Sequence, residues 1–169
     1  MKKQDKKTPA GDLTTDINVG HDGPYQPSEA LRLDNQLCFP LYAASRKLIK
    51  LYTPILKPLG LTYTQYITLL ALWEEDSQSV KSIGSRLQLD SGTLTPLLKK
   101  LEQQGLIKRE RMAEDERNVL ISLTARGNEL KNKAQKVPGR IVARVNLNLN
   151  EALELKRLLN IMLNEDCSE

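Results

Sequence analysis

Two cysteines, Cys38 and Cys167, are the residues of this chain best suited to covalent chemistry. A thiolate can attack a peroxide O–O bond and become a sulfenic acid without help from a metal or a base. The only histidine, His21, lies in a polar N-terminal stretch. That argues against a Cys-His nucleophile pair and against a metal site of His and Cys ligands, and the chain has no glycine-rich phosphate loop. No cofactor, no metal and no enzyme activity are therefore expected. Taken alone, Cys38 reads as a small buried hydrophobe on an apolar helix face with Leu37, Leu41 and Leu48. Pro40 leaves two options: a helix kinked just after Cys38, or a helix that begins there with the proline in its first turn. The second would put the sulfur near unpaired N–H groups and the positive end of the helix dipole, which favours thiolate.

A different chemistry is written into residues 79–124. Ser79 is placed to cap a short helix with apolar positions Val80, Ile83 and Leu87. The chain turns through Gln88 and Leu89 to Asp90, a good N-cap, and Gly105 supplies a left-handed stop, so the spacing predicts a second helix over about 91–104. On that helix Leu94, Leu97, Leu98 and Leu101 share one side, while Gly92, Thr95, Pro96, Lys99 and Gln103 share the other. Pro96 breaks the pattern, since an interior proline costs about 3 kcal/mol. A low Gly, Thr, Pro face could sit deep in a major groove. Leu106 to Arg111 then reads as one strand and Arg117 to Leu123 as its return, with a polar tip between them.

Helix, turn, helix and charged hairpin in that order predict a winged helix-turn-helix, mainly α with a small β-hairpin wing. Residues 79–126 carry nine Lys or Arg against six Asp or Glu, and the cations gather on the second helix and hairpin, where phosphates would be met. The expected DNA-facing residues are Ser91, Gly92, Thr93, Thr95, Pro96, Lys99, Lys100, Arg109 and Arg111, with Asp115 and Arg117 at the tip.

From about Leu33 onward the chain resembles the MarR family of regulators, on the run DSGTLTPLLKKLEQQGL followed by DERNVLISLT. The resemblance implies a homodimer on a pseudo-palindromic double-stranded operator, with second helices in successive major grooves and wings in flanking minor grooves. Asp115 and Arg117 match the family's wing-tip Asp-x-Arg, Arg117 being the minor-groove residue. Residues 33–66, LDNQLCFPLYAASRKLIKLYTPILKPLGLTYTQY, are similar to the OhrR-type branch, which senses organic hydroperoxides through a thiol. Cys38 matches its peroxidatic cysteine, and Tyr52 and Tyr63 match the two tyrosines that hydrogen-bond the sulfur from the partner subunit. Fourteen residues of continuous helix span about 21 Å, so Tyr52 cannot reach Cys38 of its own chain and such a contact has to cross a dimer interface.

The branch contains two routes for an oxidised sulfur. One is an intersubunit disulfide with a resolving cysteine of the C-terminal region; the other is a mixed disulfide with a small cellular thiol. Cys167 lies among Asn164, Glu165 and Asp166 near the chain end, expected to be exposed on a frayed terminus and slowed as an attacker by those carboxylates. The one-cysteine route is the expectation, with Cys167 the possible resolver.

The implied function is a repressor that releases its operator when organic hydroperoxide oxidises Cys38. Two alternatives are a MarR-type repressor answering to a small aromatic ligand with an inert cysteine, and a thiol peroxidase. The 169 residues, 40% hydrophobic with a net charge of +4, suit one domain able to bury a core. No apolar run approaches membrane-spanning length and no secretory leader is evident, so a cytoplasmic protein without a membrane partner is expected. Residues 1–30 read as a disordered tail and 31–165 as the winged-helix domain, with the helix pair at about 79–104 and the wing at about 106–123. Dimerisation helices are expected at about 34–52, capped by Asp34, and 125–165. The second is interrupted around Pro138 and Gly139, and an Asn148–Glu151 capping box opens its last part, which carries Leu155, Leu158, Leu159, Met162 and Leu163.

Overall fold

A computed structural model describes residues 30–111 and 119–164. They divide into two compact units, one ending at Arg46 and one beginning at Lys47. In the first, Leu33–Asn35 form a single 3-10 turn and helix α1, Cys38–Leu56, begins. Asp34 lies inside the turn and Gln36 is extended, so Asp34 does not cap α1 and the helix starts four residues later than expected. Pro40 occupies the third position of α1, where its missing N–H costs no helical hydrogen bond, which selects the second of the two options. At the other end, Pro54 lies inside α1. The helix runs on to Leu56 and tightens into a 3-10 turn, Lys57–Leu59, closed by Gly60 at φ 70°.

The second unit is built by local caps. Thr62 and Gln65 form a reciprocal capping box that starts α2, Tyr63–Glu74. Ser79 accepts from the Ser82 N–H to open α3, Val80–Leu87, and Asp90 accepts from the Thr93 N–H to open α4, Ser91–Gln103. Gln88 at φ 53° makes the turn between α3 and α4, and Gly105 at φ 68° follows α4. Strands β2, Ile107–Arg111, and β3, Val119–Leu123, pair antiparallel with Ile107 opposite Leu123 and Arg111 opposite Val119. A two-residue strand that the sequence did not announce, β1 at Gln78–Ser79, pairs with the far edge of β3 and gives the sheet order β1-β3-β2.

After the wing, Thr124 caps α5, Ala125–Ala134. The interruption lies at Gln135 and Lys136, while Pro138 and Gly139 sit inside α6, Val137–Val142, where a proline at the start is harmless. A second break follows α6. The expected Asn148–Glu151 box then opens α7, Leu149–Asn164, so the interrupted span of 125–165 holds three helices.

One core holds α2, α3, α4 and the sheet base together. Leu69 and Leu72 of α2, Ile83 of α3, Leu94, Leu98 and Leu101 of α4 and Ile121 of β3 are almost fully buried in it. Two helices contrast with that. No residue of α7 is buried, although Leu149, Leu153, Leu155, Leu158, Ile161 and Met162 are apolar, and the first half of α1 exposes Phe39, Leu41, Tyr42 and Leu48. A 16-residue helix with an uncovered apolar stripe gains little stability alone and calls for a partner surface.

Candidate functional site: a DNA-reading face and a thiol sensor

The face of α4 expected to read DNA is set by the residues that anchor its other side. With Leu94, Leu98 and Leu101 buried and Leu97 packed against the core, Ser91, Gly92, Thr93, Pro96, Lys99 and Lys100 are exposed and Thr95 is half-buried. Among the described residues no carboxylate pairs with Lys99 or Lys100, so both ammonium groups are available to phosphates. Asp90 holds the helix start: its carboxylate accepts from the Thr93 N–H at 2.9 Å and the Thr93 hydroxyl at 2.8 Å, bonds that draw its pKa below the usual carboxylate range.

The wing residues divide. Arg109 is half-buried, with one guanidinium nitrogen 3.7 Å from Glu102 of α4, so part of its charge ties the wing to the helix. Its Nε is buried without a partner among the described residues. Arg109 also lines an open cavity of about 480 Å³ with Lys81, Ser85, Ser91, Thr95 and Val119. Arg111 ends the described part of β2. Asp115 and Arg117 lie outside the described residues.

The wing is aimed by contacts at its base. Asp76 Oδ1 accepts from the backbone N–H of Ser77 and of Leu123 at 2.8 Å each, and the Ser77 and Ser122 hydroxyls meet at 3.1 Å. Buried Gln78 donates to the carbonyls of Ala71 and Glu75 at the end of α2 and accepts from the Ser82 hydroxyl, joining α2 to α3. Arg86 adds a bond to the Ala71 carbonyl and an ion pair with Glu74. A glutamine just before a capping serine gives no periodic signal, which is why sequence reasoning missed this joint.

The residues expected to form the sensor fall in both units. Cys38 is the first residue of α1 and is exposed in the single chain, so nothing in its own chain buries it as an apolar-face hydrophobe. In the second unit Tyr52 of α1 and Tyr63 of α2 pack with ring centroids 4.9 Å apart, both half-buried. Tyr66, one turn along α2 and 5.9 Å from Tyr52, completes a cluster of three phenols. Its spacing from Tyr63 was the signal available for it. Burial, then the neighbouring Tyr63, pushes the Tyr52 phenol up; burial, then Tyr52 and Tyr63, does the same for Tyr66. Both therefore remain hydrogen-bond donors at neutral pH. Cys167 lies outside the described residues.

Residues 50–134 match the family model described as Transcriptional regulator SarA/Rot. Over 133 residues the chain is 52% identical to the organic hydroperoxide resistance transcriptional regulator of Bacillus subtilis, covering 79% of this chain and 90% of that one. The chain belongs to the MarR family of winged-helix regulators. Its place is in the OhrR-type branch, and like its relatives it is a DNA-binding transcriptional regulator with a mainly helical fold and a small antiparallel sheet. Reduced AbfR bound to DNA superposes with a TM-score of 0.71 at 41% identity, over 81% of this chain and 94% of that one. The disulfide form of AbfR, a protein of Staphylococcus epidermidis, gives 0.57 at 42% identity over 81% and 96%. Among the described residues no helix of this MarR-family chain is long and apolar enough to cross a membrane.

Proposed function

We propose that this protein is a homodimeric repressor that senses organic hydroperoxides through Cys38 and leaves its operator when that residue is oxidised. The observation that carries the reading is an exposed cysteine at the first position of α1, in a chain 52% identical to an organic hydroperoxide resistance regulator. In the chemical step the Cys38 thiolate attacks one oxygen of the O–O bond. A Cys38 sulfenic acid forms, and the peroxide leaves as alkoxide and takes a proton to become the alcohol. The partner subunit's Tyr52 and Tyr63 donate hydrogen bonds to the sulfur, a role supported by their packing as a pair and by a Tyr52 phenol whose pKa burial pushes up. A small cellular thiol then attacks the sulfenic sulfur, giving a mixed disulfide and water.

The exposed apolar stripes of α1 and α7 support pairing of two subunits through these helices. Dimerisation would set two copies of α4 in successive major grooves, Arg117 reaching the minor groove and Lys99 and Lys100 the phosphates. Localisation in the cytoplasm, where reductants return Cys38 to the thiol, completes the reading.

The test is Cys38→Ser. A hydroxyl is nearly isosteric with the thiol but cannot form a sulfenic acid, so the variant should bind DNA as the wild type does and ignore peroxide. Dissociation of the Ser variant on oxidation would move the sensor to Cys167 or off cysteine altogether. The alternative is a small aromatic effector bound between the dimerisation and DNA-binding regions. Release of the Ser variant by such a ligand, without peroxide, would favour it.

A further inference from the structure

On the exposed side of α4 one backbone group is left without its helical partner. Pro96 is the sixth residue of the helix and has no N–H, so the carbonyl four residues earlier, that of Gly92, receives no i→i+4 hydrogen bond. Gly92 is exposed, has no side chain to cover its oxygen, and among the described residues no side chain donates to it. The Asp90 carboxylate takes the N–H and hydroxyl of Thr93 and is bonded by the Gly92 backbone, so first-turn groups that could face a phosphate are spent inside the protein. The start of α4 thus includes two acceptors: an ionised carboxylate and a carbonyl that lacks its i→i+4 donor. Pro96 itself is exposed and supplies no core packing in return for interrupting the helix. A locally unfavourable residue without a packing gain is the mark of a functional demand.

We propose that the Gly92 carbonyl oxygen, freed by Pro96, is a specificity-determining acceptor that reads an exocyclic amine in the major groove. The partner is the N6 amine of adenine or the N4 amine of cytosine, the two amino donors that a base pair offers there. Guanine O6 and thymine O4 are rejected, because a second acceptor facing the carbonyl leaves both oxygens unpaired. The inference rests on the reading of α4 as the DNA-reading helix, and adds the atom that does part of the reading.

The test uses full-length protein and a duplex that the wild type selects from a random-sequence pool. Each adenine in turn is replaced by purine, which lacks the N6 amine, and each cytosine by pyrimidin-2-one, which lacks the N4 amine. Affinities are compared for wild type and Pro96→Ala, a variant that restores the N–H donor to Gly92 and should unfold at a higher temperature. At one position in each half-site, deleting the amine should weaken wild-type binding roughly three- to tenfold and leave the variant nearly unaffected. Whether that position holds adenine or cytosine names the base. Equal losses for both proteins at every position would overturn the inference. So would coupling seen only when thymine is replaced by uracil, which would place the pyrrolidine ring against a methyl group. A wild type that selects no duplex would sink the DNA-reading role of α4 and the inference with it; selection without coupling sinks the inference alone.

Discussion

Replacing Gly127 by alanine sets two rules against each other, and the structure decides the sign. Gly127 is the third residue of α5, and helix propensity alone predicts that alanine there stabilises the protein by about 1 kcal/mol. A Cβ at this position, however, would lie 2.0 Å from the backbone oxygen of Leu106 and 3.1 Å from its carbonyl carbon. That is roughly 1.5 Å inside ordinary contact. Leu106 cannot easily yield. Its oxygen accepts from the Thr124 N–H at 3.1 Å, its N–H donates to the Leu101 carbonyl at 3.0 Å, and its side chain is buried. Gly127 is held as firmly, by the Trp73 indole on its carbonyl and the Thr124 hydroxyl on its N–H, both at 3.0 Å. Overpacking a fixed site costs about 1–3 kcal/mol or more, and contact with backbone belongs at the upper end. Subtracting the propensity gain leaves a net loss of about 2 kcal/mol, a fall in Tm of about 4–8 °C for a chain of this size. Because Leu106 immediately precedes β2, the same displacement should tilt the wing and weaken DNA binding. Thermal unfolding followed by circular dichroism, with operator affinity on the same samples, reads both effects. A Gly127→Ala protein as stable as the wild type would mean that the passage of α5 over the wing base is not tight, and the reasoning would fail.

Other perturbations reach the proposed interface and sensor. Arg117→Ala should weaken operator binding by about 1–3 kcal/mol with folding unchanged, if the arginine enters a minor groove. Lys99→Ala should instead lower the salt dependence of binding by about one phosphate contact, and wild-type behaviour in both variants would take this face off the DNA. Tyr52→Phe and Tyr63→Phe should each slow sulfenic acid formation at Cys38, measured by trapping with a dimedone-type reagent, since each loses a phenol that donates to sulfur; unchanged rates would leave the tyrosines as packing residues. After stoichiometric peroxide, non-reducing electrophoresis should show mainly monomer carrying a small thiol. A Cys38 to Cys167 crosslinked dimer, abolished by Cys167→Ser, would assign the disulfide route, and the disulfide form known for AbfR makes the comparison informative.

The legible parts of this protein are those coded locally. Ser79, Asp90 and Asn148 each cap the helix expected of them, because a short polar side chain meets N–H groups two or three residues ahead and needs nothing else. The apolar side of α4 followed from spacing for the same reason. Features that depend on distant chain were hidden. Strand β1 exists because Gln78 and Ser79 find Ile121 and Leu120 across the sheet. The Asp76 clasp needs the N–H of Leu123. Pro138 reads as a break, yet it is tolerated at the start of α6. Asp34 looked like a cap, yet its neighbours close a 3-10 turn and the extended Gln36 postpones the helix to Cys38. The exposure of Cys38 was hidden for another reason, since the apolar residues around it are themselves uncovered in a single chain.

The central claim is that one thiol controls operator binding, and a titration tests it most directly. Reduced wild-type protein bound to fluorescent operator DNA is treated with increasing organic hydroperoxide in the presence of a small thiol. Anisotropy and intact-mass spectra are recorded at each step. The account predicts that the fraction of DNA released tracks the fraction of Cys38 carrying the thiol adduct, reaching completion near one oxidant per subunit. Full oxidation of Cys38 with the DNA still bound, or release while Cys38 remains reduced, would contradict it.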